Sequence, residues 1–129
     1  MADSIHQDVD IDASADRIFE ALTTARHFSG FTGGAPSEID AAPGGAFSCF
    51  GGMITGRNVE LVPGRRVVQA WRAKNWPEGV YSIVRFELQA KGKSTNVVFD
   101  QSGFPATAKQ ELEGGWHKMY WEPLRKYLA

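Results

Sequence analysis

The C-terminal part of the chain carries a stripe of large apolar side chains. Leu112, Trp116, Met119, Tyr120, Leu124 and Tyr127 step by three and four, the spacing of one helix face. Thr107 with Gln110 three residues later fits a capping box at the start. From Ala108 to Leu128 such a helix runs about 31 Å at about 1.5 Å per residue. Two features mark its interior. Gly114-Gly115 costs about 1 kcal/mol per residue relative to Ala, and Pro123 lacks the N–H an interior position needs, which predicts a kink near Met119. The glycines beside Trp116 let the helix approach its neighbour or leave space above it. In a chain of 129 residues, covering a stripe this long takes most of the remaining sequence.

That remainder reads largely as strands. Ile5, Gln7, Val9 and Ile11 alternate with His6, Asp8, Asp10 and Asp12, the period of a half-buried strand with its acids outward. Ser14 stands where an N-cap belongs, with Asp16 in the first turn. Ala15, Ile18, Phe19, Leu22 and Arg26 follow at helical spacing, and His27, Phe28 and Phe31 fit one more helical turn among glycines and Pro36. From Glu38 to Gln101 the texture is β. Ala46–Phe50 and Ile54–Val62 are short runs between glycine pairs, and Pro63-Gly64 suits the centre of a type II turn leading into Arg66–Trp71. Val80, Ser82, Val84, Phe86 and Leu88 share one parity, which puts Arg85 on the outer face. Lys91-Gly92-Lys93 turns that run back into Ser94–Gln101, where Val97 and Phe99 share a face.

Strands in succession with short turns make an antiparallel meander. The expected class is therefore α+β: one antiparallel sheet, two short helices after the first strand, and a long C-terminal helix packed on the sheet. Nothing repeats and no Pro/Ser-rich linker divides residues 1–129, so a single domain is expected. A chain of this length buries roughly two-thirds of its unfolded surface, enough for one core.

Composition removes several function classes. Hydrophobic residues at 43% and aromatics at 12% exclude disorder. Lys+Arg 14 against Asp+Glu 15 leaves a net charge of -1, and with no basic cluster a nucleic-acid partner is not expected. No apolar run approaches the ~20 residues of a membrane span. The opening Met1-Ala-Asp-Ser-Ile-His lacks the basic and apolar regions of a signal peptide, so a cytoplasmic location is expected. The single Cys49 excludes an internal disulfide and any multi-cysteine metal knuckle.

Catalytic and metal constellations are equally sparse, and neither catalytic residues nor a metal or cofactor is expected. No sequence around Ser29, Ser48, Ser82 or Ser102 resembles a nucleophile elbow. Cys49 has no basic neighbour in sequence to lower its pKa and reads as a buried thiol. His6, His27 and His117 have no metal-ligand spacing. Asp8-x-Asp10-x-Asp12 lacks the Gly and the terminal Glu of a calcium loop. Gly33-Gly34, Gly44-Gly45 and Gly51-Gly52 match no phosphate cradle. The one enzyme candidate is His117, as a general base at the lip of a cavity.

A larger pattern is more informative. Gly44-Gly45-x-Phe47, Gly56, Leu61-Val62-Pro63, Val67-Val68-x-x-Trp71-Arg72, Trp76-Pro77-Glu78-Gly79 and Gly115-Trp116 occur in that order. Together they resemble the C-terminal domain of the activator of the heat-shock-protein-90 ATPase, in the SRPBCC or START-like superfamily, whose fold is called helix-grip. The resemblance covers about residues 5 to 128. It implies a curved antiparallel sheet wrapped around the terminal helix, often enclosing an apolar cavity. In that implied fold the expected walls are Phe28, Phe31, Phe47, Met53, Trp71, Phe86, Trp116 and Tyr120, with Met119 as adaptable filling. The Trp76-Pro77-Glu78-Gly79 loop with Arg72 and Lys74 is, by the same resemblance, a chaperone-facing surface; its expected contacts are Arg72, Lys74, Trp76 and Glu78. The activator has a further N-terminal domain that carries much of its stimulation, for which no counterpart is expected here. Pro123 is a second departure.

Three readings follow. The first is a non-enzymatic module binding a small apolar or amphipathic ligand. The second is a protein-binding module acting on the 90-kDa heat-shock chaperone. The third is a cyclase or hydrolase of the kind the superfamily also contains. Monomer and homodimer both remain open.

Overall fold

The structure, a computed structural model, describes residues 4–129. Met1–Asp3, part of the opening read for targeting, lies outside the described residues. Strand β1 (Ser4–Ile11) leads into helices α1 (Ala15–Thr23) and α2 (Ala25–Phe31). The chain then forms β2 (Glu38–Ile39), β3 (Ala46–Cys49), β4 (Ile54–Val62), β5 (Arg66–Ala73), β6 (Ser82–Lys91) and β7 (Ser94–Ser102). The terminal helix follows as α3 (Lys109–Trp116), a π-helical turn (His117–Trp121) and α4 (Glu122–Leu128). The strands make one 7-stranded antiparallel sheet in the order β1-β7-β6-β5-β4-β3-β2, so β1 closes the meander by pairing with β7. This is the expected α+β helix-grip architecture.

Local chemistry explains most boundaries. Ser14 Oγ accepts a hydrogen bond from Arg17 N at 3.3 Å and caps α1. That helix ends at Thr23, short of Arg26, because Thr24 is extended and both threonine hydroxyls donate back to carbonyls, Thr23 to Phe19 and Thr24 to Glu20. Arg65 N donates to Val62 O at 2.9 Å, and Gly64 takes the positive φ of +70° that the second central position of a type II turn demands. β3 stops at Cys49, one residue short of the expected run, where Phe50 enters a 3₁₀ turn at φ 54°.

Two devices curve the sheet between β3 and β5. A bulge falls between Asn58 and Glu60 of β4. Gly56 lies so close to its neighbours that a Cβ there would come within 1.8 Å of Ala70 O and 2.8 Å of Phe47 Cζ. Any side chain would drive β4 off β5 and displace the Phe47 ring. The buried Asn58 beside the bulge donates to Asp40 O at 3.0 Å and accepts from Gln69 Nε2 at 3.1 Å.

The terminal helix departs from expectation at its start and at Pro123. No capping box forms. The helix enters through a 3₁₀ turn, Ala106–Ala108, that contains Thr107, and the residue before α3 is Ala108, with no side-chain capping bond. Pro123 produces a π turn in place of a simple kink. Glu122 N reaches back five residues to His117 O, and Pro123, with no N–H to give, falls in the first turn of α4.

The wide turn has a packing consequence. Side chains four apart on an α-helix drift by about 40° per step, since each residue advances about 100°. The extra residue in the turn absorbs that drift. Trp116, Tyr120, Leu124 and Leu128 all stay buried, and Trp121, outside the stripe read from the sequence, joins them at 0% exposure. They meet Val67, Val84, Phe86, Val97 and Phe99 from the sheet and Ile18 and Leu22 from α1. Met119 and Tyr127 are pushed to the edge, at 45% and 38% exposed. Tyr127 lies over Gly30, which has no Cβ to obstruct it, and its hydroxyl meets His27 Nδ1 at 2.8 Å.

Candidate functional site: a cavity at the N-terminal end of the terminal helix

Where α3 begins, the helix does not close against the sheet. A cavity of about 560 Å³ lies there, bounded by the start of the helix, the 3₁₀ turn after β3, the end of β5 and the 74–80 loop. Its floor is aromatic, formed by Trp71, Trp116 and Tyr120, and Phe50, Ile54 and Leu112 add apolar wall. Asn75, Thr107 and Glu111 are exposed and supply the polar part of the lining. Gly115 explains why the space persists. A Cβ on either Gly114 or Gly115 would meet nothing within 4 Å, so the glycine pair leaves room and does not draw the helix onto the sheet.

The expected wall residues divide into two groups. Met53, Trp71, Trp116, Met119 and Tyr120 line the cavity. Phe28, Phe31, Phe47 and Phe86 do not. Phe86 is sealed among Phe99, Trp116, Tyr120 and Trp121 with ring centroids 5.1 to 6.4 Å away. Phe28 packs on Phe31, Phe50 and Tyr120, and Phe47 lies over Gly56. Phe31 faces a separate groove beside Lys118, Glu122 and Pro123. The lower half of the grip is thus filled by aromatics, and the cavity lies at the upper end. Pro105, Thr107, Ala108 and Glu111 were missed as lining because the segment before the helix has no periodicity to place it.

The 74–80 loop also corrects its sequence reading. Trp76 is buried at 8% exposure, its ring 5.7 Å from that of Trp71, and it lines the cavity. Arg72 is an internal clamp. Its guanidinium donates to Trp76 O at 2.9 Å and Pro77 O at 3.0 Å, and more distantly to Val80 O at 3.4 Å, while lying over the Tyr81 ring. Only Lys74 and Glu78 of the four expected contacts are free on the surface.

Polar groups under the floor are few. Trp116 Nε1 donates to Gln101 Oε1 at 2.8 Å, Gln101 Nε2 to Ser82 Oγ at 3.0 Å, and Ser82 Oγ to Trp71 O at 2.8 Å. Trp71 Nε1 is buried with no partner, although the Tyr120 hydroxyl lies beside it. Burial pushes the Tyr120 hydroxyl well above the usual phenol range, with the nearby Cys49 adding to the effect and the Trp71 N–H opposing it. Burial likewise pushes the Cys49 thiol up to about 12, against a small opposing contribution from Ser37. Both groups are protonated at neutral pH, and Cys49 is no nucleophile. His117 is exposed and does not line the cavity. Among the described residues no three His, Cys, Asp or Glu side chains gather as a metal site, and no helix is long and apolar enough to cross a membrane.

Residues 12–129 match the family described as "Activator of Hsp90 ATPase homolog 1-like protein". The chain belongs to that family. Among its relatives is the human activator of 90 kDa heat shock protein ATPase homolog 1, 29% identical over 113 residues; the match takes in 88% of this chain and 33% of the human protein. A Dictyostelium discoideum activator homologue is 43% identical over 76 residues, covering 58% of this chain and 20% of that one. The chain thus spans about a third or less of the length of these curated relatives. The fold recurs in the crystal structure of an HSP90 activator from Plasmodium falciparum, at TM-score 0.92 and 24% identity over 97% of this chain and 95% of that one. It recurs again in the solution structure of the Aha1 dimer from Colwellia psychrerythraea, at TM-score 0.81 and 23% identity over 98% and 96%. At these identities the likenesses establish the shared helix-grip fold of this activator-homologue family member.

Proposed function

We propose that this activator-homologue domain is a non-enzymatic binding module that holds one small apolar or amphipathic molecule in the cavity above Trp116. The observation that carries this reading is a space of about 560 Å³ with an aromatic floor and a polar lip, the size and polarity of a small-molecule site. The glycine pair supports it, because Gly115 sacrifices helix stability at the position where a side chain would fill the space. Native mass spectrometry of the protein as purified is the test, followed by thermal denaturation with a panel of small apolar molecules. A bound mass lost on denaturation, or a raised melting temperature, is the expected result. Apo protein whose melting temperature no compound moves would overturn the reading.

A second reading has its own support. The names of the human and Dictyostelium relatives speak for contact with a 90-kDa heat-shock chaperone. On this chain the exposed Lys74 and Glu78 carry the proposed surface, since Arg72 and Trp76 are committed to the loop itself. The double reversal Lys74→Glu with Glu78→Lys leaves the loop's internal bonds in place. It is expected to weaken binding to the purified chaperone at least tenfold, and undiminished binding would remove the surface from consideration.

A further inference from the structure

The cavity floor contains a donor without an acceptor. Trp71 is 4% exposed, and its Nε1 is the one buried side-chain nitrogen or oxygen without a hydrogen bond among the described residues. An indole N–H can only donate. Its polar neighbour is the hydroxyl of Tyr120, which the terminal helix contributes to the same floor. A phenol can accept from the indole and still direct its own proton elsewhere. Behind the pair, Trp116, Gln101 and Ser82 are bonded to one another and to Trp71 O, and the nearby Cys49 sulfur is only a weak acceptor, so these groups offer the pair no strong acceptor.

Charge narrows the chemistry further. The only charged side chain lining the cavity is Glu111, an exposed carboxylate. Among the described residues no Lys, Arg or His lines it. An anionic head group would enter past a like charge and find no counter-ion. A cationic one would leave the floor's donors unanswered.

We infer that the ligand is a neutral, largely apolar molecule carrying one oxygen acceptor, a ketone, ester or similar carbonyl, which lies on the aromatic floor and accepts from the Tyr120 hydroxyl while the Trp71 N–H donates to Tyr120 Oη. This rests on the small-molecule reading above and specifies its ligand class. The apolar body packs on Trp71, Trp76 and Trp116, and the amphipathic edge of the molecule faces Asn75 and Thr107.

The experiment uses two probes of matched shape, 2-acetylnaphthalene and 2-isopropenylnaphthalene, titrated into the protein and followed by tryptophan fluorescence. The ketone is expected to bind about tenfold more tightly than the hydrocarbon, the worth of one buried hydrogen bond. That preference is expected to vanish in Tyr120→Phe. Equal binding of both probes by the wild type would overturn the inferred acceptor while leaving the cavity reading standing. Binding of neither would overturn both. Should Tyr120→Phe not fold, the wild-type complex still decides the matter through its infrared spectrum. A carbonyl stretch lowered relative to the ketone in hexane supports the hydrogen bond, and an unshifted one overturns it.

Discussion

Trp116 Nε1 donates to Gln101 Oε1 at 2.8 Å with both side chains buried, and this bond fastens the terminal helix to β7. Gln101 passes the connection to Ser82, and Ser82 to the backbone of Trp71. Gln101→Leu removes the acceptor and strands a buried indole N–H. The expected loss is about 1–3 kcal/mol, read from urea unfolding. Trp116→Ala, which also empties an aromatic site, should cost about 3–5 kcal/mol.

The glycine pair gives a prediction of opposite sign. Gly115→Ala adds a methyl group into open space within a helix, and should stabilise the protein by about 1 kcal/mol. Gly115→Leu should keep the fold and fill the cavity. Its melting temperature should hold or rise while any small-molecule binding disappears.

Alkaline pH should loosen the same region. The Cys49 thiol rises from 9.0 to about 12 in the folded protein. The unfolded chain therefore releases this proton first, and stability is complete below about pH 9 and falls as pH rises toward 12. Each pH unit in that window removes up to about 1.4 kcal/mol. The raised Tyr120 hydroxyl adds a second decline above its ordinary value of 10.0. Urea midpoints at pH 7.5, 9 and 10.5 should show the fall, and Cys49→Ala should flatten the segment beginning near pH 9.

Arg72→Ala frees the carbonyls of Trp76 and Pro77 from their shared donor. The expected cost is about 1–2 kcal/mol, with amide exchange quickening across residues 74–80 and the Trp76 emission moving to the red. Lysine should restore little, because a single ammonium cannot span carbonyls that a planar guanidinium reaches together.

The meander strands and the gripped helix were legible because each rests on periodicity or on a turn with fixed chemistry, whereas the pairing of β1 with β7 has no local signal. Ser82, Val84, Phe86 and Leu88 alternate inward as their parity requires, and Pro63-Gly64 makes the turn its residues demand. Trp121 was not legible. Its burial depends on a five-residue turn that no regular helical projection contains. Trp76 misled for a different reason: Pro77 and Gly79 mark a loop, and loops usually lie on the surface, but the Arg72 guanidinium pulls this one inward. The position of the cavity was set by a discontinuity, the irregular entry to the helix at Pro105–Ala108, where pattern gives no guidance.

The π turn at His117–Trp121 divides the terminal helix into two working parts held in fixed phase. From its last residue onward, Trp121, Leu124 and Leu128 are fully committed to the core. Above it, α3 keeps Trp116 in the core and borders the cavity with Glu111, Leu112 and Gly115, which can change without disturbing what lies below. Deleting a single residue within the turn would restore an ordinary α-helix and bring back the drift of about 40° at each four-residue step. The wide turn thus acts as a coupling between an anchor and an adjustable roof, and gives the fold a way to vary what it holds while keeping the means by which it holds.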